Sequence, residues 1–200
     1  MKARPSRAAL GGLAILLLPS TAHAHLVNTG LGPFYDGVSH FALTPEDLLP
    51  ALATALLAGQ RGSRTGRLAL FALAGAWLAG GLAGLALPTI SSATALTTVS
   101  FLALGGLVAA DARLRPEWVT GLALVLGFLH GYLNGAAMSQ AKLGALGLVG
   151  IVSTLFVVVA LAAAFVVSLR VPWARVAVRV AGSWIVAIGL LLLGWSFRAA

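Results

Sequence analysis

The chain has no cysteine among its 200 residues. Disulfides and thiolate ligands are thereby excluded, so any metal must be held by imidazole, carboxylate, amide, thioether or backbone groups. Charge is scarce as well: Asp, Glu, Lys and Arg make up 9% of the residues, and only five are acids. An ordinary soluble domain carries about 25% charged residues, far more than this chain could offer to water. Catalytic signatures are also missing. The few serines have no histidine and acid partners in position, no phosphate loop is present, and no Gly-rich turn follows a strand. The expectation is a protein that is not an enzyme and has no tightly bound cofactor.

What the chain does have is apolar surface, at 60% hydrophobic residues. The first 24 residues read as an export signal: Lys2, Arg4 and Arg7 supply charge, Leu10 to Leu18 the apolar run, and Ala22-His23-Ala24 the small-residue exit. That run is too short to span a bilayer as a mature helix. Cleavage after Ala24 would leave His25 at the new N-terminus, where its imidazole and the free amine could chelate a metal together once the amine loses its proton.

Residues 25–200 form one membrane domain without a soluble remainder. Apolar runs between charged or Pro-containing breaks predict six transmembrane helices, at 44–60, 67–87, 89–110, 117–138, 142–169 and 173–197. The fold class is therefore all-α, a polytopic membrane helix bundle behind a cleaved signal peptide. The net charge of +8 resembles a nucleic-acid signature until its placement is considered. Three of the cations leave with the signal. Most of the others fall in three short connections: Arg61, Arg64 and Arg67; Arg113 and Arg115; and Arg170 and Arg175, with Arg179 one turn into the last helix. An exported N-terminus puts all three connections on the cytoplasmic side, as the positive-inside rule requires. The expected location is the bacterial inner membrane with the lipid bilayer as partner; nucleic acid is not expected.

Small residues recur four apart, as at Gly80 and Gly84 and at Gly127, Gly131 and Gly135, a spacing that lets helix backbones approach closely in lipid. Trp118, Trp173 and Trp195 lie near span ends, where amphipathic rings anchor.

Polar chemistry gathers on the exported side: His25, Asp36, His40, Glu46, Asp47, His130 and Asn134 all fall there or in the outward half of a span. The stretch 31–41, rich in turn formers, reads as a short re-entrant or interfacial piece. Thr44-Pro45-Glu46-Asp47 suits a helix start, with Thr44 as N-cap and two acids at the positive end of the dipole. Capping alone and capping combined with cation attraction are both consistent with those acids. His130, Asn134 and Met138 share one helical stripe, where His130 is either a metal ligand or interhelical glue. If His40 and His130 met beside Glu46 or Asp47, the nitrogen and oxygen set would suit nickel, zinc, copper(II) or cobalt.

These residues resemble the HupE/UreJ family of small membrane proteins over essentially the whole mature chain. The resemblance rests on the exported histidine start, on His40-Phe-Ala-Leu-Thr-Pro-Glu46-Asp47, and on Phe128-Leu-His130-Gly131-Tyr-Leu-Asn134-Gly135. It implies association with hydrogenase or urease systems and nickel permease activity. The best-known members carry His-Pro-x-x-Gly-x-Asp-His in the first span; here His40 keeps the first position, and Glu46 and Asp47 stand for the Asp-His pair. Their second pattern resembles His-Gly-x-x-His-Gly-x-Glu, against which this chain has Asn134 for the second histidine and Ala137 for the acid. This marks a divergent branch. The expectation is a permease admitting a divalent metal ion, nickel foremost; the alternative is a non-transporting accessory protein that works with metalloenzyme maturation proteins.

Overall fold

The computed structural model describes residues 28–88 and 94–197. The signal segment and His25 lie outside them. The described residues form seven helices and no strand: α1 (Pro33–Leu43), α2 (Pro45–Gln60), α3 (Ser63–Ala86), α4 (Thr94–Ala109), α5 (Pro116–Gln140), α6 (Gly144–Ser168) and α7 (Pro172–Ser196). Four of them open on proline, whose missing N–H costs nothing in the first turn. By length and apolarity α3, α5, α6 and α7 are each able to cross a membrane, and α1 with α2 makes a fifth candidate, bent by 71° at its break. The sixth expected crossing, 89–110, corresponds to the shorter apolar helix α4, and its first residues lie outside the described set.

Outward surfaces are apolar. Phe71, Leu161, Phe165, Trp184 and Leu191 are all exposed, and no more than 44% of the apolar window of any full-length candidate span is buried within the bundle. Such a surface needs lipid rather than water around it. The protein is thus a multi-pass membrane protein. Trp118, Trp173 and Trp195 stand exposed near helix ends, as interface anchors do.

At the centre is α2. It packs against all six other helices, and the small side chains Ala51, Ala53, Ala55 and Ala58 are buried along it. Pro50, inside this helix, has no N–H to donate, so the Glu46 carbonyl loses its intrahelical partner.

Glycine seams hold the other helices in pairs. Between α3 and α5, a Cβ on Gly80 would collide with the Phe128 carbonyl, and one on Gly131 with the Trp77 backbone. The same device recurs between α1 and α6, where Gly37 meets the Gly147 carbonyl and Gly150 that of Phe34, and between α4 and α7 through Gly105 and Gly182. Close approach of this kind gives dispersion contact and Cα–H···O bonds where hydrophobic expulsion from water is not available.

At the end of the bundle bearing the arginine connections, α4 closes in a Schellman turn: Ala112 N–H donates to Leu107 O and Asp111 N–H to Val108 O, with Asp111 left-handed at φ 48°. The last α4 carbonyls gain side-chain donors, Gln60 Nε2 to Val108 O at 3.2 Å and Arg179 Nε to Ala109 O at 2.9 Å. Arg61 forms an ion pair with Asp111, and burial, then Arg113 and Arg175 nearby, push its guanidinium below its ordinary value. A cation of these connections thus ties the end of α2 to the turn after α4.

Candidate functional site: a buried histidine and carboxylate pair

Asp47 occupies the first turn of α2, where the unpaired N–H groups of a helix start favour a carboxylate. Thr44 takes the N-cap position as expected, and its carbonyl accepts from Asp47 N and Leu48 N. Its side chain makes no capping bond. Nor is the Asp47 carboxylate spent on its own helix. Oδ1 lies 3.0 Å from His130 Nδ1 on α5, and Oδ2 accepts from Asn134 Nδ2 at 2.9 Å. Asp47, His130 and Asn134 are all buried, at 7%, 1% and 3% exposure, so the three groups must satisfy one another.

Proton positions follow from the charge on Asp47, since the role of each imidazole nitrogen depends on the tautomer. An ionised Asp47 accepts only, so His130 Nδ1 carries a hydrogen and donates to it. His130 Nε2 lies 3.1 Å from Ser100 Oγ on α4. With a neutral imidazole the serine donates to Nε2; with an imidazolium the direction reverses. Asn134 donates its second amide hydrogen to His130 O at 2.9 Å. Both of its donors are then used, and its buried Oδ1 is left to face the His40 imidazole.

His40, half-buried near the end of α1, stands beside Asn134 and within electrostatic reach of Asp47 and Glu46. The 71° break between α1 and α2 brings His40 back toward Asp47. Trp77 of α3 stacks on the His130 ring, with centroids 5.6 Å apart at 25°, and Phe41 meets Trp77 edge-on at 5.8 Å. The Gly131 contact with the Trp77 backbone is what permits this stack. Indole Nε1 of Trp77 is buried without a partner.

Four of the seven expected residues thus converge: His40, Asp47, His130 and Asn134. Glu46 is exposed on the first turn of α2 and faces the group only electrostatically. Asp36 is held apart by Thr29, whose N–H and Oγ1 both lie 2.7 Å from Asp36 Oδ1. That pairing ties the chain before α1 to its first turn. His25 lies outside the described residues. Among the described residues no group of three or more His, Asp or Glu is arranged to hold a metal ion. The site is a hydrogen-bonded pair with an amide and a second histidine beside it.

Two participants escaped the sequence reading. Ser100 ends a buried polar run with Thr97 and Thr98 in an otherwise apolar helix, a pattern that marks a functional or interhelical surface in a membrane. Trp77 lies mid-helix, away from the span ends that tryptophan prefers, and that displacement is a legible signal.

No curated protein and no solved structure matches the chain. The family model described as HupE / UreJ protein matches residues 13–192. That match takes in α1 to α6 and nearly all of α7, including every residue of the buried pair and its neighbours. The chain belongs to the HupE/UreJ family.

Proposed function

We propose that this protein is a six-span inner-membrane permease that admits a divalent transition-metal ion, nickel foremost, from the exported side. In this reading residues 1–24 are removed as a signal and α4 completes the sixth crossing. The arginine connections face the cytoplasm, and His25 lies at the outer surface. The observation that carries the proposal is the buried Asp47–His130 pair at the helix break, with Asn134 and His40 beside it. Ionisable groups within a membrane bundle are costly and mark ion pathways. Broken helices expose backbone carbonyls at such sites, and here the Glu46 carbonyl is released by Pro50.

The chemistry follows from the donors. Glu46 attracts the cation, His40 takes it from water, and Asp47 with the Asn134 oxygen supplies hard ligands. His130 supplies a borderline nitrogen suited to nickel, cobalt or zinc. A metal that binds Asp47 competes with the proton on His130 Nδ1, so metal entry and proton movement are linked. With no nucleotide-binding motif in the sequence, movement is passive or ion-coupled if the chain acts alone.

A second reading, a membrane accessory protein for metalloenzyme maturation, is favoured by one feature: both ring nitrogens of His130 and both oxygens of Asp47 already have protein partners. Radiolabelled nickel accumulation in a nickel-uptake-deficient host separates the two. Wild type is expected to exceed empty vector, with His130→Ala and Asp47→Asn reduced to background. Uptake that survives both substitutions refutes the pathway, whereas metal binding without wild-type uptake favours the accessory role.

A further inference from the structure

A groove of about 470 Å³ runs between the start of α3 and the end of α6, on the opposite end of the bundle from α1. The two helices are antiparallel here, so Ser63 and Arg67 of α3 share one end of the groove with Ser168 and Arg170, while Leu70 and Ala160 lie toward the other. Its walls are small and apolar. Gly66 and Ala163 keep the helices near one another, and the lack of bulk at Ala160 and Ala164 leaves the space between them open.

Two facts decide the chemistry of the occupant. The groove contains two cations and no acid, although the chain has five carboxylates. The positive end of α3 also opens at its mouth, because Gly62 caps that helix without a side-chain bond. An anion is therefore favoured at this end, and a hydrocarbon along the rest. The outer surfaces of α3 and α6 next to it are the exposed apolar faces of Phe71 and Leu161, which need lipid in any case. The volume lies within the roughly 300–1,000 Å³ of small-molecule sites.

We propose that this groove binds an acidic glycerophospholipid, with its phosphate between Arg67 and Arg170 and one acyl chain lying along Leu70 and Ala164. Basic pockets between membrane helices recognise headgroups in this way, by charge at the interface and by shape below it. The site is independent of the Asp47–His130 pair and of any transported ion.

The test uses the full chain in nanodiscs of phosphatidylcholine containing a minor fraction of phosphatidylglycerol, with the retained lipid counted by native mass spectrometry. Wild type is expected to retain phosphatidylglycerol selectively. Arg67→Ala and Arg170→Ala should each weaken retention about fivefold, the worth of one cation at an anionic membrane surface. Ala164→Trp, which fills the groove without changing charge, should also release the lipid. Arg113→Ala removes a cation elsewhere and should leave retention unchanged. Equal retention of both lipids by wild type would overturn the proposal. So would an Arg113→Ala loss matching that of Arg67→Ala, because the attraction would then be general. Displacement of the lipid by soluble glycerol phosphate alone would show a free-anion site, and this too would overturn it.

Discussion

Removing the Asp47 carboxylate should separate the stability of the bundle from its function. In Asp47→Ala, the donors His130 Nδ1–H and Asn134 Nδ2–H lose their acceptors in a region where water is scarce. An orphaned buried donor costs about 1–3 kcal/mol, so two of them set an expected loss of about 2–6 kcal/mol. Asp47→Asn is milder. Its amide oxygen can still accept from Asn134, while its N–H₂ faces a His130 that turns to the other tautomer and donates from Nε2 to Ser100 Oγ. The expected cost is then about 1–2 kcal/mol, since one charge-assisted bond becomes a neutral one. Unfolding in mixed detergent and SDS micelles measures both, and a cycle adding His130→Ala isolates the pair. Polar pairs in membrane bundles couple by only ~0.6 kcal/mol on average, because the unfolded helices find other partners. A charge-assisted Asp47–His130 bond predicts more, about 1.5–3 kcal/mol. Coupling indistinguishable from zero, or equal destabilisation by Ala and Asn, would refute the reasoning that these groups satisfy one another.

Gly131→Ala should destabilise the bundle by about 1–3 kcal/mol through overpacking against the Trp77 backbone, whereas Gly75→Ala, with open space at its Cβ, should stabilise α3 by about 0.5–1 kcal/mol; thermal unfolding in detergent compares them. Trp77→Phe removes an indole N–H that has no partner and should cost less than Trp77→Leu, which also loses the His130 stack worth about 0.5–1.5 kcal/mol; the same melts rank the two. Lys142 closes α5 in a Schellman turn at φ 59°, so Lys142→Gly should raise stability by up to about 1 kcal/mol; an unchanged or lowered midpoint would contradict this.

Helix positions were legible because period, proline and charge are local properties. Pro45, Pro116 and Pro172 lie within a residue or so of the expected starts, and each connection rich in arginine interrupts two apolar runs. Thr44 shows the limit of such reading: its position as N-cap follows from sequence, yet its hydroxyl makes no capping bond. Asp36 shows the same limit. It shares α1 with His40, but its bonds to Thr29 give it a local task.

Composition and order along the chain determined that this is an all-helical membrane protein of the HupE/UreJ family, since long continuous apolar runs satisfy their own backbone in lipid as helices and the family motifs are contiguous stretches. Tertiary structure alone decided which polar residues are partners. Asp47 and Asn134 are 87 positions apart, and Ser100 and His130 are 30 apart on different helices. Such pairings depend on which glycine seams close and on how sharply α1 turns into α2. Both are properties of helix packing, in which a shift of a single turn would bring different side chains together.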